Sequence, residues 1–126
     1  MANDNGILDG IGGVFLSSND APRLIQWYEK HFGLKFTHNF MEFVLVDSPV
    51  DADRKTIIFA INAADAKLPP DRNTHTINFR VKNLAAAIAH LRSTGLEVDK
   101  TENSDYGNFA WLKDLEGNKI ELWEPK

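Results

Sequence analysis

Apolar and polar positions alternate along residues 11–18, with Val14 and Leu16 on one face and Gly13, Phe15 and Ser17 on the other, which predicts a strand. The period then lengthens to that of a helix. Asn19 and Asp20 offer a cap, Pro22 suits a first turn, Leu24, Ile25, Trp27, Tyr28 and Phe32 form an apolar face, and Gly33 closes the segment. Residues 34–38, 40–47 and 56–61 read as three more strands, with a polar connection over 48–55 that contains Pro49. The stretch 65–73 carries Pro69, Pro70 and several charges, and reads as a semi-rigid linker.

After the linker the order of elements starts again. Residues 76–81 read as a strand with Ile77, Phe79 and Val81 on one face. Asn83 caps a helix carrying Leu84, Ala87, Ile88 and Leu91, and Gly95 closes it. Residues 96–101, 108–112 and 119–123 are strands, and Asp114-Leu115-Glu116-Gly117-Asn118 makes the last hairpin turn. The two helix ends match, Gly33-Leu34-Lys35-Phe36 against Gly95-Leu96-Glu97-Val98, which supports an internal duplication. The expected fold is α+β: two βαβββ modules, 10–64 and 74–126, in a single domain over 1–126. Each helix covers one face of its own sheet. The remaining faces form a rolled, mixed eight-stranded sheet around a concave cleft, with the helices on the convex side.

Composition narrows the chemistry. With no cysteine among 126 residues, disulfides, thiolate zinc sites, iron–sulfur clusters and a cysteine nucleophile are excluded. Fourteen Lys and Arg against 18 Asp and Glu give a net charge of -4, which disfavours binding to a nucleic-acid backbone and suits a flat or cationic small ligand. The opening Met1-Ala2-Asn3-Asp4-Asn5-Gly6 is polar, and no apolar run reaches the length of a membrane span, so a cytoplasmic location and no membrane partner are expected. Gly10-Ile11-Gly12-Gly13 opens a strand rather than a helix and fails as a phosphate loop. A Gly-x-Ser-x-Gly elbow is missing too.

Three segments carry a family resemblance: Gly12-Gly13-Val14-Phe15-Leu16; Trp27-Tyr28-Glu29-Lys30-His31-Phe32-Gly33-Leu34; and the final hairpin from Trp111 to Pro125, with Asp114-Leu115-Glu116-Gly117-Asn118 followed by Ile120-Glu121-Leu122. In these the chain resembles the vicinal oxygen chelate superfamily of glyoxalases, bleomycin-resistance proteins and extradiol dioxygenases. Leu115 stands where the superfamily usually has proline. The resemblance covers nearly the whole chain and implies the paired-module fold; one fold hosts many chemistries, so it leaves the reaction open. It also allows a homodimer.

Metal sites of the superfamily use inward-facing His, Glu or Gln from the first and last strands of each module. The resemblance therefore puts a metal ligand or general base at Glu121, which alternates with Ile120 and Leu122 and so points to the cleft face. Its implied partners are poor ligands. Gly13 has no side chain to offer, the second module presents Thr76, or His75 if the alignment slips by one, and residues 56–61 contain no ligand type. No tightly bound cofactor is expected.

Parity from Ile77 and Phe79 sends Asn78 and Arg80 to the cleft. Arg80 there needs either Glu121 as an internal partner or an anionic group on a ligand. Phe15 shares the Gly13 face and Trp123 the Glu121 face. Phe109 and Trp111 share one face that parity alone does not assign, and Tyr106 lies near the start of their strand. The candidate site is thus Glu121 as the catalytic residue, with Phe15, Asn78, Arg80, Tyr106, Trp111 and Trp123 binding a ligand. Two functions compete: a bleomycin-resistance-type protein that binds a small organic molecule without a tight metal, and a lyase or isomerase of the glyoxalase or epimerase type with Glu121 as base. An extradiol dioxygenase is disfavoured, because two His and a carboxylate cannot be assembled from these positions.

Overall fold

The structure is a computed structural model that describes residues 11, 13–44, 56–69 and 75–126. Strand β1 (Gly13–Ser18) leads through Asn19 and Asp20 into helix α1 (Ala21–Phe32). The Asp20 side chain accepts from the Arg23 N–H at the helix start, and Gly33 at φ 67 ends it, a left-handed turn that glycine adopts without a Cβ clash. Strands β2 (Phe40–Val44) and β3 (Thr56–Ala63) complete a three-stranded sheet in the order β1-β3-β2, with β1 parallel and β2 antiparallel to β3.

The second unit comprises β4 (Thr76–Arg80), α2 (Leu84–Ser93), β5 (Lys100–Ser104), β6 (Gly107–Lys113) and β7 (Lys119–Pro125). Its four strands are ordered β4-β7-β6-β5, with β4 parallel to β7 and the other pairs antiparallel. Asn83 caps α2 by accepting from the Ala86 N–H. Among the described residues neither sheet closes into a barrel.

Two expectations about strands are corrected. Residues 34–38 do not form a strand: they make a single bridge between Thr37 and Phe40, and His38 turns the chain at φ 57. The described residues therefore carry seven strands rather than eight. The strand expected over 96–101 lies instead over Lys100–Ser104. In both places the apolar alternation is real but marks burial, since Leu34, Phe36, Leu96 and Val98 pack on the core from connecting segments. Of the expected connections, 48–55 and 70–73 lie outside the described residues.

One core joins the two units. Val14, Leu16, Met41, Phe59 and Ile61 from the first sheet and Ile77, Phe79, Ala110, Leu112, Ile120 and Leu122 from the second face it, with Leu24 and Tyr28 of α1 and Leu84 and Leu91 of α2. Rings bridge the units: Phe79 lies 5.8 Å from Phe59, 5.9 Å from Phe32 and 6.2 Å from Phe43. The inner sheet faces thus meet through aromatic packing, and the outer faces are left open.

Polar contacts lock the same joint. Asp114, in the β6–β7 turn, is buried and accepts from the Tyr28 hydroxyl (2.7 Å), the Asn118 amide (2.7 Å) and the N–H groups of Glu116 (2.8 Å) and Asn118 (2.9 Å). Ser18 Oγ donates to Glu116 at 2.5 Å. Burial, and then the charge and hydrogen bond of Asp114, push the Tyr28 phenol far above its usual pKa, so it remains a donor at every working pH.

His31 lies in the last turn of α1. It is buried there, with Nδ1 2.8 Å from Thr94 Oγ1 at the end of α2. Thr94 spends its own proton on the Leu91 carbonyl, so His31 Nδ1 is the donor in this contact. His90 Nε2 also sits 3.0 Å from the His31 carbonyl. Burial lowers the His31 pKa, helped by nearby Lys30 and His90. The unfolded chain therefore takes up a proton near pH 6.5 that the folded chain refuses. Stability should fall as pH drops below that value, by at most about 1.4 kcal/mol per pH unit. Urea unfolding at pH 7.5 and 5.5 measures this, and His31→Gln should flatten the dependence.

Candidate functional site

Strand register fixes which side chains share the outer face of the four-stranded sheet. Asn78 pairs with Glu121, and Glu121 with Trp111, which pairs with Lys100; in the next row Arg80, Trp123, Phe109 and Glu102 follow one another across the strands. Neighbouring strands lie about 4.8 Å apart, so each row is a continuous line of contacts. The alternate residues, Ile77, Phe79, Ala110, Leu112, Ile120 and Leu122, belong to the core. Phe109 and Trp111, which parity could not assign, therefore lie on the Glu121 face.

Glu121 is the hub of this face. Its Oε2 accepts from Asn78 Nδ2 at 2.5 Å, and its Oε1 from Trp111 Nε1 at 2.9 Å. Each carboxylate oxygen is thus taken by a side chain two residues from an aromatic or cationic neighbour, and the Trp111 indole is pinned in place. Its ring stacks beside Phe109, centroids 5.8 Å apart and planes 11° from parallel. Trp123 is tied at the other end, donating from Nε1 to the Tyr106 carbonyl at 3.0 Å.

Gly107, at φ 140, lets the hairpin pass close to Trp123. A Cβ there would lie 2.8 Å from Trp123 Nε1 and would also collide with the Glu124 carbonyl. Gly107→Ala should therefore displace the Trp123 indole, cost about 1–3 kcal/mol, and shift the Trp123 fluorescence to that of a more solvated ring.

Two cations rest on these rings. The Arg80 guanidinium carbon lies 5.9 Å from the Trp123 centroid, and Lys100 Nζ lies 5.3 Å from that of Trp111. Of the two partners weighed for Arg80, Glu121 is not met: the register sets Arg80 beside Trp123, while Asn78 is the direct neighbour that reaches Glu121. Sequence reasoning missed Lys100 because it placed the strand four residues too early. Tyr106 is on the face only through its backbone, and its side chain is 80% exposed at the hairpin tip.

Phe15 is not brought to this group. It stands 62% exposed on the outer face of the three-stranded sheet, next to Gly13, where an added Cβ would lie 2.6 Å from the Phe15 ring and 2.5 Å from the Ile58 carbonyl. Two open grooves elsewhere, of about 550 and 580 Å³, run beside the first turns of α2 and α1. Phe109 edges the first of them, and neither includes Glu121 or Phe15.

A metal of the kind the family resemblance implies would centre on Glu121, and the residues here do not fit one. Both oxygens of Glu121 already hold N–H donors, the adjacent residue is an amide that presents its NH₂, and Gly13 has no donor atom. Among the described residues no three of His, Asp and Glu converge to hold an ion.

The chain belongs to the glyoxalase/bleomycin resistance protein/dioxygenase superfamily, whose family model matches residues 10–122. Among curated proteins none matches it. Solved structures share its fold at low identity. The antibiotic-binding protein TnmS3 from Streptomyces sp. CB03234 is 19% identical, with 95% of this chain and 98% of that one covered and a TM-score of 0.65. A bleomycin resistance determinant encoded on the transposon Tn5 is 18% identical, with coverages of 94% and 99% and a TM-score of 0.63. A superfamily member from Nocardioides is 14% identical, with coverages of 97% and 87% and a TM-score of 0.66. At these identities the likeness is one of fold. No helix among the described residues is long and apolar enough to cross a membrane.

Proposed function

We propose that this protein binds a flat small organic molecule on the outer face of its four-stranded sheet, by stacking on Trp111, Phe109 and Trp123, without a tightly held metal and without turning the ligand over. The observation that carries this reading is the belt of three rings on the sheet surface, each half-buried, with Trp111 and Trp123 fixed by hydrogen bonds. A rigid aromatic surface loses little entropy when a flat ligand docks, which is what a stacking site needs. Glu121 acts here as a positioning residue that holds Trp111 and Asn78. Two structures of the same fold are described as an antibiotic-binding protein and a bleomycin resistance determinant, which supports a binding role over a catalytic one.

Glu121→Gln tests the role of the carboxylate. The amide can still accept from Trp111 Nε1, and its NH₂ can donate to Asn78 once that side chain turns its oxygen inward. Affinity for a flat probe such as 2-naphthylmethanol should then stay within about tenfold of the parent. A parent protein that chemically converts its bound ligand, and loses this with Glu121→Gln while affinity survives, would make Glu121 a catalytic base and overturn the binding-only reading. Metal analysis of the purified protein should give well under one ion per chain, and stoichiometric nickel, zinc, manganese or iron lost with Glu121→Gln would contradict it.

A further inference from the structure

The net charge of -4 is a property of the whole chain, and it is not shared by this face. By register the outer surface of the four-stranded sheet carries Arg80, Lys100, Lys113 and Lys119 against only Glu102 and Glu121. The acidic surplus therefore lies elsewhere in the chain, and among the described residues the aromatic belt shares its face with more cations than carboxylates. Of its two carboxylates, Glu102 is already within 3.9 Å of Lys100, and Glu121 is engaged by the N–H groups of Asn78 and Trp111. Among the described residues Arg80 has no acidic partner: its guanidinium lies over Trp123 and its N–H fork is exposed at the sheet edge. An exposed guanidinium without an acidic partner presents a fork of N–H donors that a carboxylate or phosphate engages with two bonds.

From this juxtaposition we propose that the ligand is a planar aromatic anion, its ring stacked on the belt of Trp123, Phe109 and Trp111 and its carboxylate or phosphate held by Arg80. The inference rests on the reading of this face as the binding site, and it reverses the preference for cationic ligands that the overall charge suggests. Lys100, resting on Trp111, is the cation that a larger ring system would displace or stack beneath. Lys113 and Lys119 pair with each other at the far end of the face and extend the positive field without closing on the ring site.

Four probes with one ring system separate the charges: 2-naphthoate, 2-naphthyl phosphate, 2-naphthylmethylammonium and neutral 2-naphthylmethanol. Their dissociation constants can be measured by ligand NMR on the full chain at low salt. The expected result is that at least one anion binds about tenfold more tightly than the ammonium and the alcohol, as two charge-assisted bonds at an exposed site allow. The tighter of the two anions identifies the group. In Arg80→Gln the anion-to-alcohol ratio should fall by about tenfold, and Arg80→Lys should recover only part of it, because lysine keeps the charge and loses the fork. An ammonium that binds as tightly as either anion, or a ratio that Arg80→Gln leaves unchanged, overturns the proposal while the stacking site stands. If none of the four binds, or if binding survives Trp111→Ala, the reading of the face as a site fails and the proposal fails with it.

Discussion

Asp114→Ala should destabilise the protein by about 3–5 kcal/mol, a large part of the 5–15 kcal/mol typical of a domain. The carboxylate is buried and receives four N–H and O–H donors, one of them from the first unit and three from its own turn. Alanine leaves the Tyr28 hydroxyl and the Glu116 and Asn118 N–H groups without their acceptor. Each orphaned buried donor costs about 1–3 kcal/mol when water cannot replace the partner. The damage is not confined to the hairpin, because Glu116 of the same turn accepts from Ser18 on β1. Tyr28→Phe removes a single donor and should cost less, about 1.5–3 kcal/mol. Urea denaturation of both variants beside the parent measures this, and an Asp114→Ala loss below 1 kcal/mol would show that the turn does not hold the units together.

Trp111→Ala should abolish measurable binding of a flat ligand, a loss of at least about 30–100-fold, while leaving the fold intact. The ring lies on the outer face, so its removal opens no core cavity. It does remove the central member of the belt, the neighbour that Phe109 stacks on and the seat of Lys100. It also frees one oxygen of Glu121 to face any incoming ring with an unscreened charge. Phe109→Leu is the companion variant. It keeps apolar area and loses the flat partner, and should reduce affinity by about three- to tenfold. Unchanged affinity in Trp111→Ala would move the site to one of the grooves beside the helices.

Much of this arrangement was legible in the chain. Ile77 and Phe79 against Asn78 and Arg80, and Ile120 and Leu122 against Glu121, announce which side of each strand is buried, because a half-buried strand has a strict period of two. The helix ends at Gly33 and near Gly95 were equally plain. Alternation does not say whether a segment is hydrogen-bonded into a sheet, however. Leu34 and Phe36, like Leu96 and Val98, alternate because they cover the core, and His38 breaks the ladder that their pattern suggests.

Register is the other quantity a single sequence withholds. It decided that Glu121 meets Asn78 rather than Arg80, put Trp111 and Phe109 on the outer face, and set Lys100 over an indole. The joint built on Asp114 was invisible for the same reason, since Tyr28 and Asp114 are 86 residues apart in sequence.

The protein's three tryptophans offer the most direct measurement, because Trp111 and Trp123 lie on the proposed face and Trp27 lies on α1 among Tyr28, His31 and Phe32. An ¹⁵N-labelled sample titrated with 2-naphthylmethanol reports each indole N–H separately. Movement of the Trp111 and Trp123 signals, with the β6 and β7 amides and a stationary Trp27, is the predicted result. Shifts centred on Ile88 and Asn103, or on Ile25 and Asn62, with the Trp111 and Trp123 indoles unmoved, would contradict it.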